Sequence, residues 1–141
     1  MKNLLPFLVL LLAFSCHRPA STEQFVRGSG PYTFAVDMSD STCTYDFDLY
    51  TRIDAREYPA RMQLDMAWKA PNDSVFTETV YLPVDGGSSF FSHEAYAPYR
   101  AEVVPAWHGA WTVTVSVPNP PEGLRGMGLV TRYQSLWDTE N

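Results

Sequence analysis

Two aspartates lie two residues apart in an alternating run, Tyr45-Asp46-Phe47-Asp48-Leu49. Residues i and i+2 of a strand share a face, so we expect the carboxylates of Asp46 and Asp48 to lie side by side. Neighbouring unpaired carboxylates repel, and they need water, an arginine such as Arg52 on the same face, or a cation. We favour a solvated polar face. The alternative is a calcium site that also draws on nearby aspartates, namely Asp37, Asp40 and Asp54.

The histidines and cysteines lack the spacing of a metal site. No His-x-x-x-His or Cys-x-x-Cys pair occurs in the sequence, and the calcium loop Asp-x-Asp-x-Asp-Gly is absent. We therefore predict no metal and no cofactor. No Gly-x-Ser-x-Gly elbow is present either, although a Ser-His-Asp set can assemble from distant residues. We interpret His93 and His108 as loop or interface residues and predict that the protein is not an enzyme, with no small-molecule substrate.

Aromatic residues cluster in two segments, Tyr96-Ala97-Pro98-Tyr99 and Pro105 to Trp111. Trp111 begins an alternating strand, which predicts a core position. Trp107 lies in a loop and is freer to be exposed. Exposed rings on a β-sandwich stack on sugars or anchor a protein partner, so Trp107, Tyr96 and Tyr99 are the candidate partner or glycan contacts. The alternative, which we favour, is that these rings pack the end of the fold.

The residue with the clearest predicted role is Cys16. It follows a cationic start and the apolar run from Leu4 to Phe14, with the small Ser15 directly before it. This pattern is typical of a bacterial lipoprotein signal, in which the cysteine is acylated, for example with palmitate, after cleavage. The run is about half the ~20 residues that a transmembrane helix needs. We therefore predict a signal peptide over residues 1–15 and membrane attachment through lipid on Cys16.

The charge of the chain narrows the classes of partner that it can bind. The chain of 141 residues has a formal net charge of −6, and loss of Lys2 with the signal makes it −7. An acidic chain with Lys69 as its one remaining lysine disfavours nucleic acid and anionic lipid as partners. Cys43 is then the one thiol left, and its alternation with Tyr45 predicts a small buried residue rather than a reactive group.

The elements that position these residues are predicted to be strands. Residues 16–31 are polar with glycine and proline, which predicts a flexible tether after the lipidated cysteine. Seven segments with period-two alternation follow, separated by turn residues. At most a short helical turn is expected in 88–96. We predict an all-β fold, an antiparallel β-sandwich of about seven to eight strands, either jelly-roll or immunoglobulin-like, over 32–135, with a C-terminal tail at 136–141.

Several segments resemble the gliding motility lipoprotein GldH family. The similarity covers roughly residues 32–133 and follows a signal with Cys16 in the expected place. The segments that carry it are Tyr45 to Asp54 with Glu57-Tyr58-Pro59, Met62 to Met66, Pro71-Asn72-Asp73, Thr77 to Pro83, Gly109 to Val115 and Leu124 to Val130.

The resemblance implies an accessory or structural lipoprotein of the cell envelope, associated with gliding or with the secretion machinery of gliding bacteria, which acts through protein-protein contacts. It supplies no set of functional residues. The run after the cysteine, His17-Arg18-Pro19, is not acidic, unlike the run that exports such lipoproteins to the cell surface. We therefore expect an outer-membrane anchor that faces the periplasm. The alternative function is a carbohydrate-binding lipoprotein that uses the loop aromatics.

Overall fold

The computed structural model describes residues 20–54, 59–84 and 93–137. Within these ranges the chain forms strands and no helix. The eight strands are β1 (Ser21–Arg27), β2 (Tyr32–Met38), β3 (Cys43–Ile53), β4 (Arg61–Lys69), β5 (Val75–Pro83), β6 (His93–Val103), β7 (Gly109–Ser116) and β8 (Leu124–Ser135).

The strands form two four-stranded antiparallel sheets. The order is β1-β8-β3-β6 in the first, called sheet A, and β2-β7-β4-β5 in the second, called sheet B. The pairs β1–β8, β2–β7, β3–β6 and β4–β5 are nested one inside the next. This nesting is that of one long hairpin rolled into two layers, which is a jelly roll. The predicted antiparallel β-sandwich is confirmed, and of the two topologies left open the strand order is that of the jelly roll.

The core lies between the two sheets and follows from the alternation in the sequence. In β2, Tyr32, Phe34, Val36 and Met38 are buried while the residues between them are exposed. The same pattern in β7 buries Trp111, as predicted. Cys43 is also buried, which confirms its interpretation as a small packing residue.

The tether prediction over 16–31 is wrong for Ser21–Arg27. These residues form β1, which pairs with β8 from Ser21 opposite Arg132 to Arg27 opposite Gly126. The segment is polar, so its sequence shows no buried face, and the strand is at most half-buried along its length. Its order comes from the hydrogen bonds of a neighbouring strand that lies about 100 residues later in the chain.

The predicted helical turn in 88–96 is wrong for 93–96, which belong to β6, and residues 88–92 lie outside the described ranges. No helix in the part of the chain that the structure describes has the length and apolar character of a membrane span.

One end of the sandwich, called the proximal end, is where β1 begins. Because neighbouring strands are antiparallel, this end also carries the loops 39–42, 70–74 and 104–108 and the segment after β8 at 136–137.

Candidate functional site

A cleft of about 300 Å³ opens between the two sheets along β5 and β6. Its floor and walls come from both sheets and from the loop 104–108. The lining is mainly aromatic and aliphatic, with one carboxylate and one guanidinium at its rim. The residues that line it are Met38, Phe47, Trp68, Phe76, Thr77, Glu78, Tyr99, Arg100, Val103, Val104, Pro105, Ala106 and Trp111.

Trp68 of β4 is at the centre of the aromatic lining. Its ring is nearly parallel to that of Tyr99, with an interplanar angle of 5° and centroids 6.4 Å apart. The ring of Trp111 meets Trp68 edge-on at 6.3 Å, and Phe47 lies 5.2 Å from it on the sheet A side. Packed rings in these geometries stabilise each other beyond simple burial, so the cleft has a preformed wall.

The polar groups of the cleft are joined in one hydrogen-bonded chain. Trp68 Nε1 donates to Tyr99 Oη at 3.1 Å, Tyr99 Oη donates to Glu78 Oε1, and Arg100 Nη2 donates to Glu78 Oε2. Burial, followed by the hydrogen bond to Glu78, raises the pKa of Tyr99 to about 12. Tyr99 is therefore a neutral donor at physiological pH, and the Glu78–Arg100 ion pair is held at the rim.

Three apolar side chains at the mouth of the cleft are exposed. Phe76, near the start of β5, is 49% exposed, and Val104 and Trp107 are also exposed. The ring of Phe76 stacks against Trp107 and Trp111, with both centroid distances 6.3 Å. Trp111 Nε1 donates to the Trp107 carbonyl at 2.8 Å, which holds the loop in place. The structure thus brings the predicted contacts Trp107 and Tyr99 to the same cleft.

Tyr96, the third predicted contact, lies elsewhere. It lies on the outer face of sheet A, where its ring is nearly parallel to that of Tyr50 at 6.1 Å, and Phe25 lies on the other side of Tyr50 at 5.8 Å. Because Tyr96 and Tyr99 are three residues apart on a strand, they point to opposite faces. The Tyr96 hydroxyl donates to Asp48 Oδ2 at 2.6 Å, so this side chain belongs to a polar network of the outer face.

The predicted solvated face at Asp46 and Asp48 is wrong, because both residues are buried. Asp48 Oδ2 accepts hydrogen bonds from Arg132 and Tyr96. Asp46 Oδ1 accepts from the backbone N–H of Glu102 at 2.7 Å, and Asp46 Oδ2 accepts from Gln134 Nε2 at 2.7 Å. Residues of β6 and β8 therefore supply the hydrogen-bond donors for both carboxylates.

The structure gives Asp48 a different cationic partner from the predicted one. Arg52 contacts Glu94 at 3.5 Å, and Arg132 pairs with Asp48 instead. In the described ranges, no group of three or more histidine, cysteine, aspartate or glutamate side chains is arranged to hold a metal ion. The calcium alternative therefore has no support at these aspartates.

Of the remaining candidate residues, two histidines lie in the described ranges, and Cys16 and His17 do not. His108 is an exposed loop residue beside Trp107. His93 begins β6, so the prediction that it lies in a loop is wrong. Cys16 and His17 lie outside the described residues, and the predicted lipidation stays a prediction.

The sequence did not single out four cleft residues: Trp68, Phe76, Glu78 and Arg100. Glu78 carried a detectable signal, because it shares the even-numbered, partly inward side of β5 with Val80 and Leu82. A carboxylate on that side must meet a partner or a cavity. The other three came together only through the pairing of β4 with β5 and the crossing of the chain to β6.

No protein-family model matches the chain, and no curated protein matches it. The cleft is aromatic and preformed, with exposed apolar side chains at its mouth and an ion pair at its rim. Such a cleft can bind a ligand that has both apolar and hydrogen-bonding groups.

Proposed function

We propose that this protein is a lipid-anchored, non-enzymatic component of the cell envelope that binds another envelope protein through the cleft. Acylated Cys16 supplies the anchor, in the outer membrane and facing the periplasm. The resemblance to the gliding motility lipoprotein GldH family supports an accessory or structural role in gliding or secretion machinery. The single observation that carries the binding role is the exposure of Phe76, Val104 and Trp107 at the mouth of a preformed aromatic cleft.

Strand β5 adds a second support for a protein partner. It is an edge strand that pairs with β4, and no strand in the described ranges pairs with its other side. Its exposed side chains at the cleft mouth include Val75 and Phe76. A long apolar edge without proline or lysine before Pro83 is the kind of edge to which an extended segment of another protein adds a strand.

The neighbouring edge strand β6 is protected in the ways that natural edges are. Pro98 removes one N–H, and the register with β3 shifts twice between Tyr45 and Asp48. Glu102 adopts a left-handed backbone conformation, with φ of 54°. The cleft therefore lies between an irregular edge strand, β6, and a regular edge strand, β5. A partner strand fits the edge of β5.

The test is co-purification from solubilised envelopes, using Phe76→Ser and the matched control Tyr81→Ser. Both side chains belong to β5 and are about half exposed, but Tyr81 lies away from the cleft mouth. We expect one reproducible partner with wild type and with Tyr81→Ser, and at least about tenfold less of it with Phe76→Ser, the size expected of a central apolar contact. Equal recovery with both variants contradicts the proposal.

A second candidate function is carbohydrate binding. The stack of Trp107 on Phe76, close to the Glu78–Arg100 pair, offers a ring face and hydrogen-bonding groups together, as sugars require. A glycan array with wild type and Trp107→Ala tests it. Sugar binding that Trp107→Ala abolishes supports this candidate, and the absence of binding by wild type removes it.

A further inference from the structure

The position of β1 constrains how an anchored domain would stand on the membrane, and this inference rests on the lipid anchor proposed above. The carbonyl of Ala20 accepts a hydrogen bond from the N–H of Tyr133 at 2.9 Å, which fixes the chain from Ala20 onward. Cys16 precedes Ala20 by four residues. Four residues span at most about 14 Å when fully extended.

That span leaves little distance between the domain and the bilayer. The acyl chains of Cys16 would lie in the hydrocarbon layer, and the headgroup region above it is roughly 6 Å thick on each side. About 6 Å of the extended connection is needed to cross the headgroup layer. The proximal end of the sandwich must then lie within roughly 8 Å of the headgroup surface. A tether of about 15 residues would allow the domain to tumble freely, and a connection of four residues does not.

The same end carries the most exposed large apolar side chain among the residues that the structure describes. Trp137, which follows β8, is 81% exposed. The pairing of β1 with β8 is antiparallel, from Ser21 opposite Arg132 to Arg27 opposite Gly126, and Ala20 therefore meets Tyr133. Trp137 lies four residues beyond Tyr133, just as Cys16 lies four residues before Ala20. Trp137 therefore lies at the same end of the sandwich as the start of β1.

The charges at this end indicate which lipid surface suits it. The loops 39–42, 70–74 and 104–108 contain the carboxylates of Asp40 and Asp73 and no lysine or arginine, and Asp73 pairs with Lys69 at the end of β4 at 3.4 Å. These described residues therefore offer no excess of cationic groups to attract anionic headgroups. Tryptophan partitions into the interface of zwitterionic bilayers through its apolar ring and its N–H.

We propose that the proximal end docks on the zwitterionic headgroup layer of the membrane that holds Cys16, with Trp137 inserted at headgroup depth. The loop 104–108, at the proximal end of the cleft, then lies near the headgroups, and the cleft opens sideways along β5 and β6 toward neighbouring envelope proteins. The outer face of sheet A and the opposite end of the sandwich stay clear of the lipid.

The experiment reconstitutes full-length protein, purified from envelopes, into phosphatidylethanolamine–phosphatidylcholine vesicles whose acyl chains carry bromine near the headgroups. Bromine quenches tryptophan fluorescence at short range. We expect quenching of wild type that falls about threefold in Trp137→Phe, because the interfacial ring is then missing. The matched control Trp68→Phe also removes one tryptophan, but that ring is packed against Phe47, Tyr99 and Trp111 inside the cleft, and quenching should persist.

Mass spectrometry of the same samples separates the two proposals. Acylated Cys16 with quenching that depends on Trp137 supports the docking. Acylated Cys16 without quenching, with equal quenching in Trp137→Phe, or with quenching lost in Trp68→Phe instead, overturns the docking and leaves the anchor intact. Quenching that requires added phosphatidylglycerol overturns the choice of a zwitterionic surface. A mature chain without acyl groups overturns both proposals.

Discussion

The outer face of sheet A and the cleft along β5 and β6 use their side chains in opposite ways. On the outer face, Asp46 and Asp48 are polar yet buried, and other strands satisfy their oxygens. At the cleft, Phe76 and Trp107 are apolar yet exposed. A buried polar group with all its partners stabilises one arrangement of strands, whereas an exposed ring beside a cavity is available to a ligand.

Two glycines of β8 allow close packing on the outer face of sheet A. A Cβ at Gly128 would come within 2.0 Å of Cζ of Tyr50, and a Cβ at Gly126 would come within 2.6 Å of the carbonyl oxygen of Val26. The glycines therefore let the ring of Tyr50 lie against the sheet between Phe25 and Tyr96. The aspartates of the outer face therefore stabilise the fold, whereas the cleft exposes aromatic rings to solvent.

Gly128→Ala should have the largest effect on stability. The new methyl group displaces the ring of Tyr50, which loses its stacking and its hydrogen bond to Glu23. We expect a loss of about 3 kcal/mol in the free energy of unfolding, measured with urea. In a Tyr50→Ala background the same substitution should cost much less, and an unchanged cost would show that the ring is not the obstacle.

Asp48→Ala should have the second largest effect on the free energy of unfolding. The substitution leaves Arg132 and the Tyr96 hydroxyl without their acceptor, and we expect a loss of about 2 kcal/mol. The value is below that of a fully buried pair because the side chain of Arg132 is 44% exposed. Glu94→Ala breaks the exposed contact with Arg52 and is the control, at less than about 1 kcal/mol. Equal losses would contradict the distinction between the two carboxylates.

Alkaline pH offers a test that reaches both regions. Burial raises the pKa of Tyr99 in the cleft to about 12, and it also raises the pKa of Tyr50 on the outer face. A raised pKa in the folded state favours the neutral form, so stability is full below the ordinary tyrosine value of about 10 and falls as pH rises toward 12. The loss of stability between about pH 10 and 12, measured by urea unfolding, should be smaller in Tyr99→Phe than in wild type. A Tyr99→Phe profile that matches wild type would contradict the burial of that hydroxyl.

Phe76→Ser should have the smallest effect on stability. Half of this side chain already contacts solvent, so we expect a loss of less than about 1 kcal/mol in urea unfolding. The same variant should lose partner binding, as described above. A loss of several kcal/mol would instead make Phe76 a structural residue and remove it from the binding surface.

Much of the fold was predictable because its cause is local. Alternation of apolar and polar residues marks β2 to β8, and turn residues separate them. β1 was not predictable, because a polar strand at a sheet edge is held by its hydrogen bonds to β8 and not by a buried face of its own. The choice of jelly roll over immunoglobulin-like order depends on pairings between distant strands, which single-strand patterns do not encode.

The candidate site was predictable only in part. Loop position and residue type were enough to select Trp107, and alternation was enough to place Trp111 in the core. The place of Tyr96 on the outer face, apart from Tyr99 and Trp107, was not predictable, because its hydroxyl donates to Asp48, which is 48 residues away in the sequence. The burial of Asp48 was equally hidden, since its cationic partner Arg132 comes from a third strand.

The most direct test of the contrast between the two regions is site-specific crosslinking in intact cells. Replacing Phe76 at the cleft mouth, or Tyr96 on the outer face, with photoreactive benzoylphenylalanine places the same probe on two side chains that are each about half exposed. We predict that position 76 crosslinks to one envelope protein and that position 96 does not. Crosslinks from position 96 alone, or equally from both positions, would contradict the account.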